Sequence, residues 1–291
     1  MNLSINAEYL LRTRTWGCNR TRDESIKLCV DAGFNVLDCS ANVWEDDWER
    51  DVDAIMNAAA KYGAVIEQSH APFNFYSRWP SEVFPKFLYR SAEAAVRMGV
   101  KNLVFHADEY HPEQGQPFDP EKAADHAYEL LAPVIEKAVS GGVKAAIENV
   151  YEDHFGVTRK EQAHHCGKNI EELISFIDRF NDPMIGCCWD FGHGKLSFGN
   201  NGHVDAINKV GSRIICTHVN DNYELYGKDI HIPPFMGDAN WEELMVALKN
   251  TGYNGSLTFE MVYGSMPDEC VPMFLNRLHN TGIALSEMFE A

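Results

Sequence analysis

The 291-residue sequence predicts one closed (β/α)8 barrel extending over residues 1–291. Three observations predict it. Short, apolar, β-branched runs alternate with longer amphipathic stretches about eight times along the chain, the pattern of a parallel sheet with crossover helices. The short runs are apolar throughout, as strands covered on both faces must be. No Gly-x-Gly-x-x-Gly turn follows an early run, which argues against an open dinucleotide-binding sheet.

The first strand is expected near residues 9–11, and the next seven at 35–38, 64–67, 102–105, 144–147, 184–188, 213–216 and 256–259. Helices are expected at 22–32, 48–62, 81–98, 121–140, 170–180, 204–210 and 241–251. Thr21, Ser81 and the pair Asp119-Pro120 have the chemistry of helix starts, offering a side-chain oxygen to orphan N–H groups or a proline at the first helical position. Gly33, Gly63, Gly99, Gly141, Asn181, Gly211 and Gly252 follow the helical stretches, as residues that stop a helix and reverse the chain.

Composition narrows the partners. Lys+Arg 25 against Asp+Glu 43 leaves a formal charge of −18, which disfavours a nucleic-acid surface or an anionic membrane. No apolar run approaches the ~20 residues of a membrane span, and the first residues, Met1 to Asn6, have neither a basic stretch nor an apolar core of the secretory type. Eight cysteines are scattered without a Cys-x-x-Cys pair, which reads as reduced thiols in a cytoplasmic protein. Cys187 and Cys188 read as core, pointing to opposite faces of a strand.

What ends each strand carries the chemistry. Asp38, His70, His106, Glu148, Asp190, His218 and Glu260 each follow an apolar run, and in a barrel those ends converge on one mouth. So many carboxylates and imidazoles crowded together repel one another unless a cation is shared among them. Glu148, Asp190, His218 and Glu260 form a mixed oxygen and nitrogen set suited to Mn²⁺, Co²⁺, Mg²⁺ or Zn²⁺. For Asp38 the sequence offers no partner, and it reads as a capping or loop residue. Asp190 and His193 stand three residues apart around Gly192, expected to allow a sharp loop, and Asp229 and His231 alternate so that an extended backbone would aim both to one face. Trp16, Trp44, Phe73, Phe75 and Trp79 read equally as a pocket wall or as packing under loops, and His164-His165-Cys166 as a solvated loop.

The motifs His70-Ala71-Pro72-Phe73, Val104-Phe105-His106, Ile147-Glu148-Asn149, Cys188-Trp189-Asp190-Phe191-Gly192-His193, Thr217-His218-Val219-Asn220-Asp221, Asp229-Ile230-His231-Ile232-Pro233-Pro234, Gly237-Asp238-Ala239-Asn240-Trp241 and Thr258-Phe259-Glu260 occur in this order. Together they resemble the xylose isomerase-like TIM-barrel superfamily, which contains sugar and sugar-phosphate isomerases and epimerases and also endonuclease IV. The resemblance implies one divalent metal, Mn²⁺ first, on Glu148, Asp190, His218 and Glu260, with Glu148 and Glu260 as an acid/base pair. It implies substrate contacts from His193, and the sugar reading adds His70, His106, Asp229, His231, Trp16 and Phe73. The endonuclease IV pattern would instead place three zincs on His70/His106/Glu148, on Glu148/Asp190/His218/Glu260 and on His193/Asp229/His231. The loops 44–48, 108–110 and 151–154 are acidic and aromatic, which suits a small carbohydrate better than a duplex. Where the ketose 3-epimerase branch usually has an Arg six residues after the His ligand, this chain has Glu224. A non-catalytic sugar-binding barrel is the third reading. The aromatic stretch from Phe73 to Trp79 could also reach a neighbouring subunit in a homo-oligomer.

Overall fold

Among the described residues, eight strands and eight helices alternate: β1 (Leu3–Asn6), α1 (Arg22–Asp31), β2 (Val36–Asp38), α2 (Trp48–Tyr62), β3 (Val65–His70), α3 (Phe84–Met98), β4 (Asn102–Phe105), α4 (Pro120–Ser140), β5 (Lys144–Glu148), α5 (Ile170–Arg179), β6 (Ile185–Asp190), α6 (Phe191–Val210), β7 (Ile214–His218), α7 (Trp241–Asn250), β8 (Leu257–Phe259) and α8 (Val271–Glu290). The structure is a computed structural model, and the residues it describes are 1–12, 20–74, 78–107, 110, 118–151, 169–224, 228–263 and 266–291. All strand pairs are parallel, in the order β7-β6-β5-β4-β3-β2-β1-β8. β7 and β8 meet through the bridge Val219–Phe259, with Val219 N–H donating to Thr258 O at 2.7 Å and Glu260 N–H to Val219 O at 3.2 Å. The result is a single, nearly closed (β/α)8 barrel.

Two apolar layers follow from the period-2 alternation of strand side chains. Leu37, Leu103, Phe105, Ile147, Cys187, Trp189 and Phe259 face outward into the helices. Val104, Ala146, Cys188 and Cys216 face inward as a separate plug beneath the strand ends. Cys187 and Cys188 thus divide between the two layers, and burial pushes both thiols up, which keeps them neutral. Each fully buried Leu, Ile or Phe contributes about 1.5–3 kcal/mol.

The helix signals hold in most places. Thr21 forms a capping box with Glu24, accepting from Glu24 N–H at 3.2 Å while Glu24 Oε2 accepts from Thr21 N–H at 2.8 Å. Asp119 caps α4 with Pro120 behind it. Three expectations fail. The first strand is Leu3–Asn6, not 9–11: Asn6 Oδ1 accepts from the N–H groups of Glu8 and Tyr9 at 2.9 and 3.1 Å and folds residues 9–12 into a 3₁₀ turn. Ser81 caps nothing, because the turn begun at Pro80 delays α3 to Phe84. Helix α6 covers all of Phe191–Val210 although Gly192, Gly194, Gly199 and Gly202 lower its helical propensity. It is broken at Gly199 (φ 62°, ψ −178°), a conformation open essentially to glycine. Among the described residues, no helix is long and apolar enough to cross a membrane.

Candidate metal and substrate site

The strand ends converge as a barrel requires. Glu148, Asp190 and His218 are the last residues of β5, β6 and β7, and Glu260 directly follows β8. One ligand atom from each lies within 4.8 Å of the others, and all four residues are buried. His218 Nδ1 is 3.2 Å from Glu148 Oε1, 3.3 Å from Glu260 Oε2 and 3.9 Å from Asp190 Oδ2. Two further groups adjoin this one: His70, His106 and Glu148, and His193, Asp229 and His231. Cys188 Sγ lies within the same reach of Glu148 and His218, so a sulfur stands just below the strand ends.

Asp38 corrects the sequence reading. It is fully buried, its Oδ2 is 3.7 Å from His218 Nε2, and Asn6 Nδ2 and Gln68 Nε2 donate to that oxygen at 3.3 and 3.4 Å. It therefore backs the imidazole from the side opposite Glu148 and Glu260, a role that shows only once the barrel brings the end of β2 to face the end of β7 across the mouth.

The histidines are held in one tautomeric sense. Nδ1 of His70, His193 and His231 lies 2.6, 2.9 and 3.0 Å from the carbonyls of Ala71, Asn149 and Glu260, so each Nδ1–H donates to backbone. Their Nε2 atoms then face carboxylates: Glu148 Oε2 at 3.1 Å for His70, and Asp229 Oδ2 at 3.4 and 2.6 Å for His193 and His231. A nitrogen lone pair cannot sit that close to a carboxylate oxygen unless a proton or a cation lies between them. A ring that donates one nitrogen to the backbone and presents the other is also the usual arrangement of a metal-ligating histidine. Among the described residues, neither ring nitrogen of His218 has a hydrogen-bond partner, although the residue is fully buried. Its neighbours converge on a common point rather than on each other. Ligands sharing one ion at ~2.0–2.2 Å stand at most ~4.4 Å apart, close to the spread seen here. The donor set fits a divalent cation.

Electrostatics agree with the geometry. Burial pushes the Glu148 carboxyl up, but the charges of His218 and His106 outweigh it and hold it well below the usual carboxylate range. Burial opposes charge on His218, yet Glu260 and Glu148 raise its pKa well above the ordinary value. His231 likewise rises to about 10 against burial, through Asp229. Asp190 is pushed up to about 6 by burial, with His193 opposing.

Local sequence explains the placement. Asp190 caps α6: its Oδ1 accepts from His193 N–H at 2.7 Å, leaving Oδ2 for Asn220 Nδ2 at 2.8 Å and for the His218 side of the site. The Asp-x-x-His element is thus the first turn of a helix rather than a loop. Gly192 is required there by close approach, since a Cβ would collide with Asn220 Oδ1. Asn149 continues the β5–β6 pairing, accepting from Asp190 N–H at 2.7 Å and donating to Asp190 O at 2.9 Å. Asp229 and His231 do meet, but not through extended backbone: His231 has φ 45°. Their loop is held by the buried Asp221, which accepts from the N–H groups of Asn222, Phe235, Gly237 and Ala239 and from Trp241 Nε1 at 2.9–3.3 Å. Glu224 turns away from the mouth to pair with the buried Lys195 at 3.1 Å, and Lys195 also meets Asp238 at 3.1 Å.

Above the ligand atoms opens a cavity of about 620 Å³, within the ~300–1,000 Å³ of small-molecule sites. Trp44, Phe73, Trp79 and Tyr151 wall it, with Arg78 at its side and Asn6 and Tyr9 toward its base. Phe73 stacks on His106 at 4.4 Å and Tyr151 on His193 at 5.1 Å. Trp16 and Phe75 lie outside the described residues, as do residues 108–109, 152–154 and 164–166. Sequence reasoning missed Asn6, Tyr9, Arg78, Asn149, Asn220 and Asp38's true place. Only Asn149 and Asn220, which adjoin ligand motifs, left a local signal.

Comparison with known proteins yields relatives of the same fold. The uncharacterized protein y4fM of Sinorhizobium fredii is 26% identical over 216 residues, 70% of this chain and 65% of that protein, so the chain spans just under two thirds of the length of this curated relative. A D-tagatose 3-epimerase-like protein superposes over 100% of both chains with a TM-score of 0.75 at 19% identity. D-psicose 3-epimerase from Clostridium cellulolyticum H10, solved with D-tagatose, covers 98% of this chain and 99% of its own with a TM-score of 0.72 at 15% identity. At such identities the likeness is one of fold. The description that matches by family model is that of the xylose isomerase-like TIM barrel, over residues 26–278. Since that span takes in the strand ends from Asp38 to Glu260, we conclude that this chain belongs to the xylose isomerase-like TIM-barrel family.

Proposed function

We propose that the protein is a divalent-metal-dependent isomerase or epimerase of sugars or sugar phosphates. The observation that carries this reading is the pair of glutamates that flank one imidazole: Glu148 and Glu260 approach His218 Nδ1 at 3.2 and 3.3 Å on the floor of an aromatic-walled cavity. The solved sugar 3-epimerases of the same fold support it.

Glu148, Asp190, His218 and Glu260 would hold the ion, Mn²⁺ before Co²⁺, Mg²⁺ or Zn²⁺. The chemistry so supplied is Lewis-acid polarisation of a sugar carbonyl and its neighbouring hydroxyl, which acidifies the carbon-bound proton between them. Glu260 meets His218 and His231 through Oε2, leaving Oε1 to accept that proton. Glu148 has both oxygens engaged by histidines; it would draw a proton from one of these imidazolium groups and pass it to the neighbouring carbon or the opposite face. His193, fixed through Asn149 O, and His70, His106, Asp229 and His231 contact substrate hydroxyls. Trp44, Phe73 and Tyr151 cover the apolar face of the sugar and exclude water.

The test is exchange of a substrate carbon-bound proton with solvent deuterium in the metal-loaded protein. E148Q and E260Q should each lower exchange by about 10²–10⁴-fold with an unchanged circular dichroism spectrum. Full activity in both variants refutes the two-glutamate scheme.

A second reading, a three-metal phosphodiesterase of the endonuclease IV kind, is favoured by the three adjoining ligand groups. The net charge of −18 speaks against a duplex substrate. Elemental analysis separates the two: about one metal per chain supports the sugar enzyme, and three zincs with cleavage of abasic duplex supports the nuclease.

A further inference from the structure

We infer that Arg78 is the anchor for an anionic group on the substrate, so that the sugar carries a phosphate or a carboxylate at the end remote from the ligand cluster. This inference deepens the sugar-enzyme reading and rests on it for the identity of the reacting portion.

The arginines elsewhere are mostly spoken for. Arg20, Arg22, Arg97, Arg179 and Arg213 each pair with an aspartate at 2.5–2.9 Å. Arg78 lines the cavity, and among the described residues no carboxylate lies within ion-pair distance of it. Arg50 and Arg277 likewise show no carboxylate partner among the described residues. Of these three, Arg78 is the one that lines the cavity, where a chain of net charge −18 otherwise presents mostly acids. It is also held ready. The guanidinium carbon sits 4.7 Å from the Trp79 ring centroid and 5.3 Å from that of Trp44, and the two rings are 5.7 Å apart. A planar cation over two indoles keeps its N–H edge available while its face is occupied. Trp79 is fixed in turn: Asn74 donates to its carbonyl and accepts from its N–H, both at 2.8 Å, and Phe84 and Phe87 pack against its ring. Fixing the side chain beforehand lowers the ordering cost of binding.

Space points the same way. A hexose has a dozen non-hydrogen atoms, and at no more than the ~30 Å³ that liquid water allots to one it fills ~360 Å³, well short of the 620 Å³ cavity. A phosphate or carboxylate accepts two parallel N–H bonds from a guanidinium, a fit that a hydroxyl cannot match. The route that supplies this substrate must therefore include a phosphorylation of the sugar or an oxidation of it to an acid.

The experiment measures tryptophan fluorescence, since Trp44 and Trp79 lie under the guanidinium, in the metal-loaded full chain titrated with D-fructose, D-fructose 6-phosphate, D-glucuronate and inorganic phosphate. Proton exchange with deuterated solvent is followed on the three sugars. The expected result is a Kd at least tenfold lower for one charged sugar than for D-fructose, the phosphate or the carboxylate being identified by which one gains. R78M should erase that gap and the binding of inorganic phosphate while moving the D-fructose Kd less than twofold, and R78K should retain part of both. Equal affinities for charged and neutral sugars, or an R78M effect that weakens all ligands alike, overturns the inference. Arg78-dependent anion binding without exchange on any sugar leaves Arg78 in place and overturns the isomerase reading. Exchange on a charged sugar that ignores R78M does the reverse.

Discussion

Asp221 offers the sharpest test of how the site is held together. Its carboxylate is fully buried and receives five N–H donors: four backbone groups, from Asn222, Phe235, Gly237 and Ala239, and the indole of Trp241. Replacing it by alanine leaves those donors without an acceptor where water does not reach, at ~1–3 kcal/mol for each one stranded. The full sum is an overestimate for two reasons. Burial pushes the Asp221 carboxyl up, so part of its contribution already offsets a desolvation cost, and a loop can relax to satisfy some donors. A net loss of about 3 kcal/mol remains, which for a protein of this size lowers Tm by roughly 6–12 °C. The assay is thermal unfolding by circular dichroism together with hydrogen exchange over residues 229–239, the segment that presents Asp229 and His231. D221A should lose protection there before it loses protection in β5 or β6. A Tm within 2 °C of the wild type, or unchanged exchange in the loop, refutes the view that this one anion organises it.

Three other outcomes follow from particular residues. His203 is buried with its pKa lowered to about 3, by burial first and then by Lys195, against about 6.5 in the unfolded chain. Its folded pKa is depressed, so its stability is fully present above pH ~6.5 and lost as pH falls toward 3, at ~1.4 kcal/mol per pH unit across that window. Urea unfolding at pH 8, 6 and 4 should show this slope in the wild type and a flatter one in H203Q. D38N, which removes the charge behind His218, should weaken metal binding about 10–100-fold, read by titration of the metal-free protein. Chelation should lower Tm reversibly, and restoring metal to 100 times its Kd should return about 2.7 kcal/mol; an unchanged Tm refutes a resident ion.

Much of this was visible in the amino-acid order. The parallel strands announced themselves because each is buried on both faces and so reads as one apolar run, and the polar residue that ends each run had to arrive at the common mouth. The Leu3–Asn6 strand did not, because its alternation is four residues long and Tyr9-Leu10-Leu11 offered a stronger apolar signal. Helix α6 was mostly hidden by its glycines, whose value lies in contacts with Asn220 and Glu224 that are distant in sequence. Asp38 looked idle because its partner, His218, stands on the far side of the ring. Arg78 was unreadable for the same reason: its meaning lies in what it fails to pair with. Side chains defined by periodicity or by a cap were legible, and those defined by a neighbour many strands away were not.

The join between β7 and β8 has one further consequence. Seven of the eight strand-to-strand edges are parallel ladders, two of them with a register shift, whereas this edge is, among the described residues, a bridge and a few hydrogen bonds around Val219. His218 and Glu260 stand on its opposite banks. An ion gripped by both would act as a clasp on the barrel's weakest stave, so that the chemistry of the mouth and the mechanical integrity of the whole cylinder would be fastened at one buckle. Loosening it should let the last strand and its helix peel away first.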